Sequence, residues 1–327
     1  MDVRTIKEYI GEDWKKVNDS IRSVLHSDID LLNMTNESIL SHSGKQLRPL
    51  LALLFARACA RGVISEATVR YAASAELLHN ATLLHDDVAD DSDQRRGVPT
   101  IRSLMGPSVS VLLGDYWLVK AMELILGDKE ADTMVIRIFS KTLSDLAEGE
   151  MLQLQKAQSG DTDEEDYLRI IYNKTASLFE AACVSAAVSV SAPDTYEKAA
   201  RDYAVALGNA FQIKDDILDY EGTDSVGKPL GVDILEQKIT LPLLGAMKNA
   251  GDNEEARIRK IVADIARHPE SAKEIVAFVR DNGGIEYAVA RLESYVEAAV
   301  AALTILPDSY EKICLRELAY FTARRDK

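Results

Sequence analysis

Cysteine is scarce in this chain: Cys59, Cys183 and Cys314 are the only three among 327 residues, and they lie far apart. An odd, scattered set excludes a disulfide framework and a cysteine-based zinc site, and it reads as buried thiols in a reducing compartment. Positive charge is also short. Acidic residues outnumber basic ones 53 to 38, so the basic footprint that nucleic acid demands is missing and no nucleic-acid partner is expected. No apolar run is long enough to span a bilayer, and charges interrupt the N-terminal stretch MDVRTIKEYIGEDWKK where a signal peptide would carry its apolar core. The expectation is a soluble, cytoplasmic protein. Proline and glycine are few, and no segment alternates β-branched with polar residues, which argues against a β-rich fold.

What is abundant is helix. Leu, Ala, Glu and Lys recur with helical periodicity over 48–60, 66–89, 108–126, 129–155, 164–190 and 196–220, then in shorter pieces to the end. Gly, Pro, Asp and Ser cluster at 41–44, 96–99, 159–163, 222–231 and 282–284, marking loops rather than domain linkers. Residues 175–190 are apolar or small almost all round, as a helix at the centre of a bundle must be. The expected fold class is all-α, a single helical domain over 1–327 with a central cavity between facing helices.

Two acidic motifs stand out. Asp86-Asp87-Val88-Ala89-Asp90 ends one apolar segment, and Asp215-Asp216-Ile217-Leu218-Asp219 ends another. On a helix the first and last aspartates of each motif are one turn apart on one face, where like charges repel. A divalent cation reverses that sign. One such motif in an acidic chain reads equally as a solvated helix end, whereas two at matching places point to a built site. Carboxylate ligands of this kind suit Mg²⁺, which takes few of them and keeps positions for water and substrate phosphate.

A diphosphate also needs cations. Lys45 and Arg48 sit at a loop-to-helix junction, with Pro49 suited to the first helical turn. Arg95 and Arg96 follow the first acidic motif, and arginine's planar fork matches phosphate oxygens. Lys174, Lys228 and Lys238 are isolated lysines in apolar or loop settings. Any one of these reads alone as surface solvation; their grouping around the acidic motifs favours an anion site.

The order GKQLRP (44–49), LLHDDVADDSDQRRG (83–97), KTASLF (174–179), GNAFQIKDDILDYEG (208–222) and GKPLGVD (227–233) resembles the trans-isoprenyl diphosphate synthases, or polyprenyl synthetases. The likeness is to their medium- to long-chain branch, the octaprenyl and heptaprenyl type, and runs from about residue 43 to the end. The resemblance implies a homodimeric isoprenoid synthase fold and a head-to-tail condensation of an allylic diphosphate with isopentenyl diphosphate. It further implies that Asp86, Asp90 and Asp215 coordinate about three Mg²⁺ ions, with Asp87 and Asp219 supporting. Arg95, Lys174 and Lys228 then bind the allylic diphosphate, while Lys45, Arg48, His79 and Arg96 bind isopentenyl diphosphate. Gln212 faces the reacting carbons, Thr175 lies near the cation, and Asp233 and Lys238 stand at the site mouth. Metal and cations stabilise departing pyrophosphate, and a dry pocket keeps water from the carbocation, so the five histidines of the chain need supply no base.

Chain length is expected to follow from the helix before the first motif. Small Ala81 and Thr82, with Leu78, Ala75, Ser74 and Tyr71 further down the face, leave room for a growing chain. At about 5 Å per helical turn, this predicts a product beyond C20, about C30 to C40. Met122 and Met134 are candidate floors. The alternatives are a shorter product of about C15 to C20, a terpene cyclase, a non-catalytic partner subunit, or a structural bundle. Release of a long apolar product suggests at most transient membrane contact.

Overall fold

The computed structural model describes residues 2–95, 97–127, 133–221 and 231–325, and they are almost wholly helical. In chain order come α1 (Val3–Ile10), α2 (Glu12–Leu25), α3 (Asp30–Ser41), α4 (Leu47–Cys59) and α5 (Glu66–Ala89). A two-stranded ribbon follows, β1 (Gln94–Arg95) and β2 (Val98–Pro99), then α6 (Ile101–Met105), α7 (Pro107–Leu126), α8 (Thr133–Ser159) and α9 (Glu164–Ile171). A π turn, Tyr172–Ala176, leads into α10 (Ser177–Ser189), α11 (Asp194–Glu221), α12 (Val232–Leu235) and α13 (Leu241–Ala250). The chain ends with α14 (Asp252–Ala263), α15 (Ala272–Asp281), α16 (Gly284–Ala302) and α17 (Tyr310–Arg324). The all-α expectation holds, and most expected boundaries fall within a few residues; the start expected for α8 at 129 lies outside the described residues.

The chain divides into two compact units. The first comprises Met1–Ser140, Ala181–Ala200 and Ile305–Leu315. Its α5 has every residue from Tyr71 to Leu78 buried, because it carries no polar stripe to present to water. Ser65 and Thr68 close a reciprocal capping box at its start, satisfying backbone donors of the first turn. Helices α1 and α2, which the motifs did not foretell, bury Ile6, Ile10, Val17, Ile21 and Leu25 at helical spacing. They are tied down by Tyr9 Oη donating to Glu311 Oε1 at 2.6 Å and by Arg57 bridging Glu311 and Asp13.

The second unit comprises Lys141–Glu180, Arg201–Thr304 and Arg316–Lys327. Asp163 caps α9 by accepting from Asp166 N at 2.8 Å, and Arg259 holds the preceding loop through the carbonyls of Gly160 and Thr162. The π turn brings a backbone bond from Ser177 N to Tyr172 O, one residue longer than an α-helical bond. It is closely flanked. A Cβ on Gly149 of α8 would stand 2.7 Å from Asn173 Cβ, and one on Gly208 of α11 2.5 Å from Ala176 Cα, so any larger residue forces the helices apart. Among the described residues, no helix is long and apolar enough to cross a membrane.

Candidate active site

In the first unit, α5 ends at Ala89 and Asp90 is its C-cap, with Asp90 N–H donating to Asp86 O at 2.8 Å. Asp86 and Asp90 therefore stand one turn apart at the negative end of the helix dipole, where carboxylates are unfavourable and a cation is favoured. Asp87 points inward and is buried. Pairing of Gln94 with Pro99 and of Arg95 with Val98 sets up the short ribbon, and Arg95 Nε meets Asp87 Oδ1 at 2.8 Å. Burial pushes the Asp87 carboxyl above its usual range; the guanidinium opposes that rise without cancelling it. Arg95, expected on a substrate phosphate, thus lies against Asp87, and Asp87, expected to support metal, accepts from an arginine.

Other predicted residues of this unit fall on α4 and α5. Lys45 is exposed in the loop before α4, and Arg48 is half-buried at the second position of that helix, whose cap Gln46 is left-handed at φ 51°. His79 is half-buried two turns before Asp86. Leu78 and Ala81 are buried, and the Thr82 hydroxyl donates to His79 O at 2.8 Å. Further down α5, Tyr71 meets Phe139 of α8 with ring centroids 6.5 Å apart, both rings buried. Met134 of the same helix is 42% exposed, whereas Phe139 is fully buried beside Tyr71 of α5. Arg96 and Lys228 lie outside the described residues.

In the second unit the other motif closes α11, again at the negative helix end. Asp215 is half-buried and pairs with Arg325 at 2.7 Å; that guanidinium also donates to Phe211 O at 2.8 Å and lies 3.9 Å from the Phe211 ring centre. Asp219 accepts from the backbone N–H groups of Val232 and Asp233 at 3.1 and 3.2 Å. Asp216 is buried, accepting from Tyr167 Oη at 2.6 Å and Gln212 Nε2 at 2.9 Å. Burial pushes its carboxyl up to about 7, against the pull of those two donors. Burial and the neighbouring Asp216 and Asp219 likewise raise Asp233 well above the carboxylate range.

Lys174 and Thr175 lie in the π turn, a distortion of a kind that recurs at functional sites. Lys174 is ion-paired with Glu150 of α8, and Thr175 Oγ1 donates to Gln212 Oε1 at 2.8 Å. Lys238 pairs with Glu236. A cavity of about 160 Å³ is lined by Tyr167, Lys174, Gln212, Asp216, Asp233 and Lys238. The structure thus gathers the predicted Lys174, Gln212 and Lys238 with Asp216. It adds Tyr167, Glu150 and Arg325, which the motif reading missed: Tyr167 looks like a core aromatic of an amphipathic helix, and Arg325 belongs to no motif.

Among the described residues, no three His, Cys, Asp or Glu side chains converge on one point. Mg²⁺ is bound by one or two carboxylates with phosphate oxygens and water, so aspartates one turn apart at a helix end fit it. A polyprenyl synthetase family model matches residues 29–279, most of the chain. The chain belongs to the polyprenyl synthetase family. Octaprenyl diphosphate synthase of Escherichia coli is 38% identical to it over 330 residues, covering 100% of each chain. A decaprenyl diphosphate synthase structure from Rhodobacter capsulatus superposes with a TM-score of 0.91 at 35% identity, covering 100% of both chains. A polyprenyl synthase from Caulobacter crescentus, complexed with calcium and isoprenyl diphosphate, also gives a TM-score of 0.91, at 33% identity over 100% of this chain and 98% of that one. The expected isoprenoid synthase fold and prenyltransferase class are therefore those of the family, which includes octaprenyl and decaprenyl diphosphate synthases.

Proposed function

We propose that the protein condenses an allylic diphosphate head-to-tail with isopentenyl diphosphate, giving a trans-polyprenyl diphosphate beyond C20, about C30 to C40. The observation that carries this reading is the placement of both acidic motifs at negative helix ends, where their carboxylates call for a cation. Asp86, Asp90 and Asp215 are the proposed ligands of about three Mg²⁺ ions, with Asp219 held ready by two backbone donors. When bound, magnesium supplies charge stabilisation for the departing pyrophosphate. Lys174, kept in place by Glu150, and Lys228 neutralise the allylic diphosphate; Lys45, Arg48, His79 and Arg96 are assigned to isopentenyl diphosphate. Arg95 acts first on Asp87, fixing the motif, and reaches phosphate only secondarily.

The growing chain lies, in this reading, along the α5 face of Ala81, Leu78 and Ala75, and the Tyr71–Phe139 pair is the first aromatic obstacle it meets. The two units act as one catalytic domain. A homodimer is supported by α7, which exposes Leu112, Val119 and Leu126 at seven-residue spacing, an apolar seam that suits a second copy. The protein works in the cytoplasm and touches membrane only to release product; a steady-state rate unaffected by detergent would count against that last step.

The test is chromatography of products from a C15 primer, isopentenyl diphosphate and Mg²⁺. Polyprenyl diphosphates beyond C20 support the reading; no incorporation with any allylic primer removes it, and so favours a non-catalytic subunit or structural bundle. Ala81→Tyr is expected to shorten the product, and an unchanged chain length would refute the α5 path.

A further inference from the structure

An unbroken chain of side-chain hydrogen bonds runs from α9 to the π turn. Tyr167 Oη donates to Asp216 Oδ2 at 2.6 Å, and Gln212 Nε2 donates to the other carboxylate oxygen at 2.9 Å. The far end of the same amide, Gln212 Oε1, accepts from Thr175 Oγ1 at 2.8 Å. With Asp216 ionised, the carboxylate accepts and does not donate, so it takes the NH₂ group and the amide oxygen faces Thr175. A flipped amide sets oxygen against carboxylate and gives up a charge-assisted bond. Thr175 is thereby committed as a donor toward Gln212, and its lone pairs are turned away from it.

Tyr167 and Asp216 are both buried, and nothing in the reaction proposed above employs the phenol. With one Asp216 oxygen held by Tyr167, the carboxylate cannot turn away from Gln212. Without that bond Asp216 keeps a single side-chain donor among the described residues, and its rotation carries the amide with it. Tyr167, Asp216 and Thr175 are buried and Gln212 is half-buried, and in such a low-dielectric setting hydrogen-bond networks orient their members.

We propose that Tyr167 is a positioning residue for prenyl transfer: through Asp216 it fixes the Gln212 amide, and so the electron-rich oxygens of Gln212 and Thr175 that meet the ionised allyl group. This rests on the functional reading above. The phenol touches no substrate; it acts on the step in which the allylic C–O bond breaks, its electron pair leaving with pyrophosphate, before the isopentenyl double bond attacks.

Steady-state kinetics at saturating Mg²⁺ with a C15 primer compares wild type, Tyr167→Phe, Gln212→Met and the double variant, each with its melting temperature. Tyr167→Phe is expected to lower kcat about tenfold while both KM values stay within about threefold, because geometry is lost and not affinity. In the Gln212→Met background the same change is expected to alter kcat less than about twofold, since the link it acts through is gone. An unaltered kcat, a loss that appears in KM, or losses that multiply in the double variant overturn the proposal. Should Tyr167→Phe fail to fold, Asp216→Asn cuts the chain at its next link, and the same split and the same silence in Gln212→Met are required of it. A wild type without turnover removes the functional reading and this inference together; an active wild type with an unchanged Tyr167→Phe removes this inference alone.

Discussion

The two acidic motifs share a pentapeptide pattern and a place at the end of a long helix, yet they distribute their charge differently. In the first, the buried second aspartate, Asp87, is met by a guanidinium, that of Arg95. In the second, the donors that meet the buried Asp216 among the described residues are neutral, a phenol and an amide, while the guanidinium of Arg325 goes to Asp215. The first motif therefore balances its inner charge locally. The second leaves its inner carboxylate disfavoured and places a cation on an outer carboxylate expected to bind metal. Burying an ion without a counter-charge costs several kcal/mol unless hydrogen bonds replace water. A site that tolerates this is organised for something other than its own stability.

The largest expected effect tests what the motifs share. Asp86→Ala and Asp215→Ala are each expected to lower kcat by about 10²–10³ or more at saturating Mg²⁺, the scale seen when a group that stabilises developing charge is removed. If one of the two variants retained near-normal turnover, the motifs would not be functional equals.

The inner aspartates should differ in stability. Arg95→Ala strands Asp87 and is expected to cost about 2 kcal/mol in denaturant unfolding, moderated by the solvent that already reaches Arg95. Tyr167→Phe removes one of two neutral donors and is expected to cost about 1 kcal/mol. The reverse order would undo the contrast drawn here.

A pH scan without metal sharpens it further. Asp216 has a folded pKa raised to about 7, so the folded state keeps its proton longer than the unfolded chain does. Ionisation is then unfavourable to the fold, and stability falls as pH rises from about 4 to 7. Relative to Asp216→Asn, wild type should lose melting temperature across that window, and a parallel pair of curves would show the carboxyl is not perturbed. The smallest effect concerns Arg325: Arg325→Gln frees Asp215 from its ion pair and is expected to lower the Mg²⁺ concentration for half-maximal activity about two- to fivefold. A higher requirement would mean that the pair prepares the carboxylate for metal.

Much of this was legible in the chain itself. Helical periodicity and the lack of strand patterns set the all-α class, and the apolar run at 175–190 announced a buried helix, of which 181–187 are all buried. The acidic motifs and Lys174 were singled out because their chemistry is carried by residue type and short spacing, whereas Thr175 and Gln212 came from the resemblance to the family. Tyr167, Glu150 and Arg325 were not, since each acts on a partner at least 24 residues away (Lys174, Asp216 or Asp215), and no local period records such a pairing. The π turn was hidden too: Gly149 and Gly208 permit the approach of neighbouring helices, and a glycine in a helical pattern reads first as a weakness.

By itself, then, the sequence determined the helices, the family and the kinds of groups in the site, because those follow from propensity, burial pattern and residue chemistry over a few turns. Only the tertiary structure decided which aspartate of each motif turns inward, which cation or donor meets it, and how the Gln212 amide is oriented. Those outcomes depend on desolvation and on partners brought together by packing, and a buried carboxylate takes its character from what surrounds it rather than from its neighbours in the chain.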